Sequence, residues 1–143
     1  MRIYLSFWID QAKILGETFP QDTLEDHLLF LTFTLHCADI SKPARPLTTY
    51  LMWMEYTMEE YFLQGDMEKE LGIPVSSFMD RENTNKERVQ ITYIDFIVRE
   101  SIDILNILSP GNFENSIERD LITNGLNNNR KNLQKKIEGE VKI

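Results

Sequence analysis

Residues 36–43 read His-Cys-Ala-Asp-Ile-Ser-Lys-Pro and place Asp39 at the end of an apolar helical run, just before a proline break. A carboxylate there meets the partial negative charge of a helix C-terminus. A buried one also needs a cationic or hydrogen-bonding partner. Two readings are open. Asp39 is either a buried side chain bonding the neighbouring backbone or a hard-oxygen ligand for a divalent cation. His36, three residues earlier on about the same face, could ligate or support a ligand, although a lone histidine on an apolar helix is more often a core residue. His27 lies at the polar start of the same helix. The chain has no His-Glu-x-x-His, no Cys-x-x-Cys and no glycine-rich phosphate loop. A metal at Asp39 would therefore take most of its ligands from outside this chain.

Gln90 falls inside the packing run Val89-Gln90-Ile91-Thr92-Tyr93-Ile94-Asp95-Phe96-Ile97. A buried glutamine amide must satisfy both a donor and an acceptor. It does so either on a neighbouring helix or on the edge of a planar heterocycle. Tyr93, three residues on, puts a ring beside that amide on one helix face. An amide that grips an edge next to a ring that stacks on a face suits a purine. Tyr50, Met54, Thr57 and Tyr61 recur at helical spacing on another segment. Such a stripe is usually core, but its Tyr and Thr are polar enough for a pocket wall.

The elements that must carry these residues are helical nearly throughout, so the expected fold class is all-α, a compact multi-helix bundle. Ile3, Phe7, Ile9, Ile14 and Leu15 suggest a first helix ended by Gly16 and Pro20. A second starts after Thr23 and runs to about Asp39, with apolar density from Leu28 to Leu35 that suggests burial on most sides. A third spans about Leu47 to Glu70, ending at Gly72. A fourth, capped by Asn83 or Thr84, runs to about Leu108. Its Val89–Val98 section is β-branched enough to read as a strand by propensity alone, but its length favours a buried helix. Two weaker helical patterns follow, separated near Asn124-Gly125, and the stretch 125–143 reads as a frayed tail.

With 143 residues, 42% apolar and 27% charged, the chain suits one soluble domain. A net charge of −8 argues against a DNA, RNA or anionic-membrane surface. The single cysteine, Cys37, excludes an internal disulfide and fits a reducing, cytoplasmic setting. No segment is long and apolar enough to span a bilayer, and no signal peptide is evident. Membrane attachment of a longer parent protein is left open.

Taken in order, Leu35 to Pro46, Met58 to Leu71, Asp80 with Arg81, and Gln90 to Val98 resemble the catalytic domain of class I cyclic nucleotide phosphodiesterases. The order and spacing match over roughly Leu28 to Val98, so residues 1–143 read as the C-terminal portion of that helical domain. The resemblance implies hydrolysis of a 3′,5′-cyclic nucleotide, cyclic AMP or cyclic GMP, to the 5′-monophosphate. It also implies two divalent metal ions, zinc with magnesium or manganese. Asp39 matches a metal ligand and Gln90 the glutamine that bonds the purine. Tyr93 matches a stacking ring and Thr57 the other side of that clamp. Tyr50, Trp53, Met54, Tyr61, Phe78 and Ile40 match other pocket-lining positions.

The departures carry equal weight. The family's His-Asp-x-x-His motif and general-acid histidine are not in this chain, so no catalytic acid is assigned and Asp39 is the one metal ligand. Lys42 stands where the family usually has Asn, Thr57 where it has a larger aliphatic group, Thr92 where it has Gly, and Asn132 where it has Trp. The isolated chain is expected to be inactive, and its unpaired apolar faces, parts of Leu28–Leu35 and Ile91–Val98, to be exposed. The alternative function is a non-catalytic nucleotide-binding or dimerisation module, with a homodimer as one partner.

Overall fold

The computed structural model describes residues 23–108 and 117–139. The expected helix over Ile3–Leu15 lies outside them. Helix α1, Leu24–Ile40, starts where Thr23 takes an extended conformation and its Oγ1 accepts from the Asp26 amide at 3.2 Å. Glu25 and Asp26 sit in the first turn, where a carboxylate meets the positive end of the helix.

The buried residues of α1 lie on one side of the helix. Phe33, Cys37 and Ile40 are buried, whereas Leu24, Leu28, Leu31 and Leu35 are 74%, 54%, 61% and 72% exposed. Their 4-3-4 spacing aligns them on one face. The expectation of burial on most sides is therefore corrected for α1. Apolar density marks a residue's preference, but a neighbour must supply the cover, and among the described helices the main packing partner of α1 is α4. The expected exposure of the same leucines holds. In the 91–98 stretch only Phe96 follows that expectation, at 58% exposed, while Ile94 and Val98 are fully buried.

A 3₁₀ turn, Lys42–Ala44 with Pro43 in its first turn, reverses the chain after α1. Helix α2, Leu47–Glu70, buries Tyr50, Met54, Met58, Phe62 and Gly65 along one face. Gly65 is required there, because a Cβ would lie 1.9 Å from the Met79 carbonyl oxygen. That contact presses the 71–85 loop onto α2, and ion pairs hold the loop in place. Arg81 reaches Glu59 and Asp66 at 2.8 and 3.0 Å, with its guanidinium 5.1 Å from the centre of the Phe62 ring. Lys69 reaches Asp80 at 2.8 Å. These groups are well exposed, so the pairs add specificity of placement more than stability.

Helix α3, Lys86–Tyr93, is capped by Asn85, whose side chain accepts from the Arg88 amide at 2.8 Å. The cap sits one or two residues later than expected, because Asn83 spends its amide on Asp80 at 2.6 Å. The helix then widens into a π-helical segment, Ile94–Val98, before α4, Arg99–Leu108. The β-branched run is thus helical, as its length predicted. The wider turn rephases the helix, so that Gln90 and Tyr93 look one way while Ile94 and Val98 enter the core.

Helix α5, Ile117–Ile137, corrects the expected break and frayed tail. Gly125 does not end a helix. A Cβ at that position would lie 2.3 Å from the Ala44 carbonyl oxygen, so glycine allows α5 to approach the 3₁₀ turn. Leu126, Asn129 and Leu133 are buried at helical spacing. The Asn129 amide donates to the Pro43 and Arg45 carbonyls at 2.7 and 2.8 Å. Arg130 Nε bonds both oxygens of Asp95 at 2.8 and 2.9 Å. Lys136 meets Glu87 at 2.7 Å. Among the described residues no helix is long and apolar enough to cross a membrane.

Asn129→Ala strips the donors from two backbone carbonyls and should cost about 2–3 kcal/mol, read as a lower urea midpoint with α-helical circular dichroism as the probe. The double change Leu31→Gln, Leu35→Gln should leave that midpoint nearly unchanged and reduce binding of an anilinonaphthalene dye. A large loss of stability would mean that the stripe is covered.

Candidate substrate pocket

Helices α2 and α3 diverge beside the 3₁₀ turn and leave a cavity of about 160 Å³. The long helix α2 supplies Tyr50, Trp53, Met54, Thr57 and Tyr61, residues three to four apart that share a face. Helix α3 supplies Val89, Gln90 and Tyr93, and the turn supplies Lys42 and Pro43. Thr57 and Tyr93 thus line one cavity from different helices. Of the candidates named from sequence, Ile40 and Phe78 are not among the lining residues. Ile40 is buried at the end of α1, and Phe78 is exposed in the 71–85 loop with φ of 70°. Pro43 and Val89 line the cavity without having been singled out. Val89 adjoins Gln90 in sequence, but nothing local marks Pro43 beyond its role as a helix breaker.

Gln90 is buried, with only 6% of its surface exposed. Its Oε1 accepts from the Tyr50 hydroxyl at 3.1 Å, and its Nε2 lies 3.8 Å from the Met58 sulfur. The amide is therefore tied to a neighbouring helix and also lines the cavity. A thioether is a weak acceptor, so the Nε2 protons are left undersatisfied. Met58 continues the Tyr50–Met54 stripe by one turn, a spacing visible in the sequence, although its contact with Gln90 is not.

Burial raises the Tyr50 hydroxyl above the ordinary phenol range, and the nearby Tyr93 adds to the effect. Tyr93 is pushed up to about 12 by burial, then by the charges of Tyr61 and Asp39. Both phenols are therefore neutral at physiological pH, with O–H groups able to donate. At the outer edge the Lys42 ammonium lies 5.3 Å from the centre of the Trp53 ring, and Trp53 meets Tyr56 edge to face.

Asp39 does not sit in a buried, compensated niche. It is exposed at the end of α1, close enough to Tyr93 for its charge to act on that phenol. Water solvates the carboxylate there, which removes the cost that made its position look poor. His36 is half-buried, with its ring 6.2 Å from that of Phe33. Among the described residues no group of three or more His, Cys, Asp or Glu side chains could hold a metal ion. A single carboxylate does not fix a divalent cation, so the residues present do not by themselves fit a metal centre. Cys37 plays no part in the cavity. It is buried, its thiol is raised to about 12 by that burial, and it points at the Ser101 carbonyl at 3.7 Å.

A family model described as 3′5′-cyclic nucleotide phosphodiesterase matches residues 6–118. The chain belongs to this family. Among curated phosphodiesterases it is 44% identical over 95 residues to a 3′,5′-cyclic-AMP phosphodiesterase, isoform F, of Drosophila melanogaster. The match covers 66% of this chain and 14% of that one. It is 43% identical over 95 residues to the dual specificity calcium/calmodulin-dependent 3′,5′-cyclic nucleotide phosphodiesterase 1 of the same species, covering 63% and 11%. The solved structure of LmjPDEB1 in complex with IBMX superimposes with a TM-score of 0.76 and 28% identity, covering 94% of this chain and 38% of that one. The chain thus spans a minor part of each of these three phosphodiesterases. The all-α fold expected from sequence agrees with the helical elements observed and with this likeness.

The raised phenol of Tyr93 has a pH signature. Stability that depends on its neutral form is fully present below the ordinary phenol value of about 10 and is lost as pH rises towards about 12. Ultraviolet titration near 295 nm should show late-ionising phenols, and Tyr93→Phe should remove a component near pH 12. Loss of a component near pH 10 instead would show the ring to be freely solvated.

Proposed function

We propose that this cavity receives the base of a 3′,5′-cyclic nucleotide, and that the chain is the base-binding portion of a metal-dependent phosphodiesterase domain. The observation that carries this reading is the buried Gln90 amide. It is pinned by Tyr50 at the wall of an aromatic-lined cavity and still has undersatisfied protons. An amide fork so held reads the edge of a heterocycle. Tyr93 offers a ring face, with Thr57 contributing the other wall. Trp53, Met54 and Tyr61 add further apolar and aromatic surface to the wall. Family membership supplies the reaction class, hydrolysis of the cyclic phosphodiester to a 5′-monophosphate.

The chemistry that two divalent ions would supply in a complete domain is an activated water and neutralised phosphoryl charge. This chain offers Asp39 as one carboxylate towards such a centre, and its companions would have to come from other parts of a complete domain. The residues lining the cavity bind and orient the base. A second reading, a nucleotide-binding module without catalysis, is favoured by the lack of a metal-holding cluster among the described residues.

Two measurements test the proposal. Equilibrium binding of cyclic nucleotides to the 143-residue chain should be saturable, and Gln90→Ala should weaken it about tenfold. The same chain supplied with zinc and magnesium should not hydrolyse cyclic AMP or cyclic GMP above background. Turnover abolished by Asp39→Ala would show that the chain holds a working metal centre by itself. Binding indifferent to Gln90→Ala would move the site elsewhere.

A further inference from the structure

Among the described residues lining the cavity one is cationic, and its chemistry bears on which base the cavity prefers. Lys42 opens the 3₁₀ turn and lines the same space as Gln90. Its ammonium is steadied over the Trp53 ring at 5.3 Å. Among the described residues no carboxylate pairs with it. An ammonium offers three donors and no acceptor. It can satisfy a base edge that presents acceptors, and it opposes one that presents an amino group.

Purines differ in this respect. The N7 edge of guanine carries two adjacent acceptors, N7 and O6, whereas adenine pairs the N7 acceptor with the N6 amino donor. Gln90 does not discriminate between them, because its amide holds a donor and an acceptor that exchange by rotation. Tyr50 can follow that rotation, since a hydroxyl both donates and accepts. The fixed element is Lys42.

Lys42 also lies where it can meet the base. It sits by Trp53 at the outer edge of the cavity whose buried wall carries Gln90, so a base held at Gln90 and stacked on Tyr93 occupies the space that Lys42 lines.

We infer that Lys42 biases the cavity towards 6-oxopurine cyclic nucleotides, those of guanine or hypoxanthine, over adenine nucleotides. This rests on the proposed nucleotide-binding reading. It is not what the names of the cyclic-AMP relatives would suggest.

The test is calorimetric titration of the intact 143-residue chain with cyclic GMP, cyclic IMP and cyclic AMP, using wild type, Lys42→Gln and Gln90→Ala. Circular dichroism verifies that each variant is folded. Cyclic GMP and cyclic IMP should bind roughly tenfold more tightly than cyclic AMP, the worth of one charge-assisted hydrogen bond. Lys42→Gln should bring the three within about twofold, mainly by weakening the oxopurines. Including cyclic IMP isolates O6, since it lacks the guanine 2-amino group. Equal weakening of all three nucleotides by Lys42→Gln would place the ammonium on the phosphate and overturn the inference while leaving the pocket intact. Tighter or equal binding of cyclic AMP by wild type would also overturn it. Failure of all three to bind saturably, or binding untouched by Gln90→Ala, would overturn the underlying nucleotide reading and this inference with it.

Discussion

The arrangement of the molecule hangs on one buried amide at the reversal after α1. Pro43 breaks the helix, and the carbonyls of Pro43 and Arg45 point inward without helical partners. Asn129, itself buried, donates to both. A buried carbonyl without a donor costs free energy comparable to a lost hydrogen bond. The turn is therefore stable in this shape only when α5 lies across it, and Gly125 allows that approach by omitting a Cβ. The same turn carries Lys42 and Pro43 into the cavity and sets the angle at which α2 departs.

From this junction the cavity follows by geometry. Helix α2 leaves the turn with Tyr50, Met54 and Met58 inward, and α3 is placed against α5 by Lys136–Glu87. Arg130–Asp95 ties the π-helical segment to α5. The widened turn at Ile94–Val98 separates two duties on one helix, so that the residues before it line a pocket and those after it fill the core. Gln90 lies at the boundary and joins α2 to α3 through Tyr50. The polar groups of the cavity are thus part of the packing, which explains how an amide and two neutral phenols are tolerated in a mostly apolar interface.

Legibility from sequence varied with the range of the controlling interaction. Helix types and most boundaries were readable, because caps and breakers act within a turn: Thr23 started α1 and Gly72 followed α2. Seven of the nine residues named for the substrate site lie in one cavity, since helical spacing puts Tyr50, Trp53, Met54, Thr57 and Tyr61 on one face. Ile40 and Phe78 do not line it, as no local period governs a helix end or an irregular loop. Continuity of α5 was misread because glycine and asparagine are weak helix formers. A contact from far along the chain, with Ala44, outweighed that preference.

By itself the sequence determined the helical class, the stripes of α2 and α3, the lone Asp39, and the family motifs. Each of these depends on residue identity and short spacing, which survive without coordinates. Tertiary structure decided which of two faces each side chain meets. It exposed the leucine stripe of α1 and solvated Asp39. It also brought Gln90 onto Tyr50, forty positions earlier, and set Lys42 over Trp53. These outcomes depend on where helices cross, and crossings are set by long-range packing and buried hydrogen bonds that no local pattern encodes.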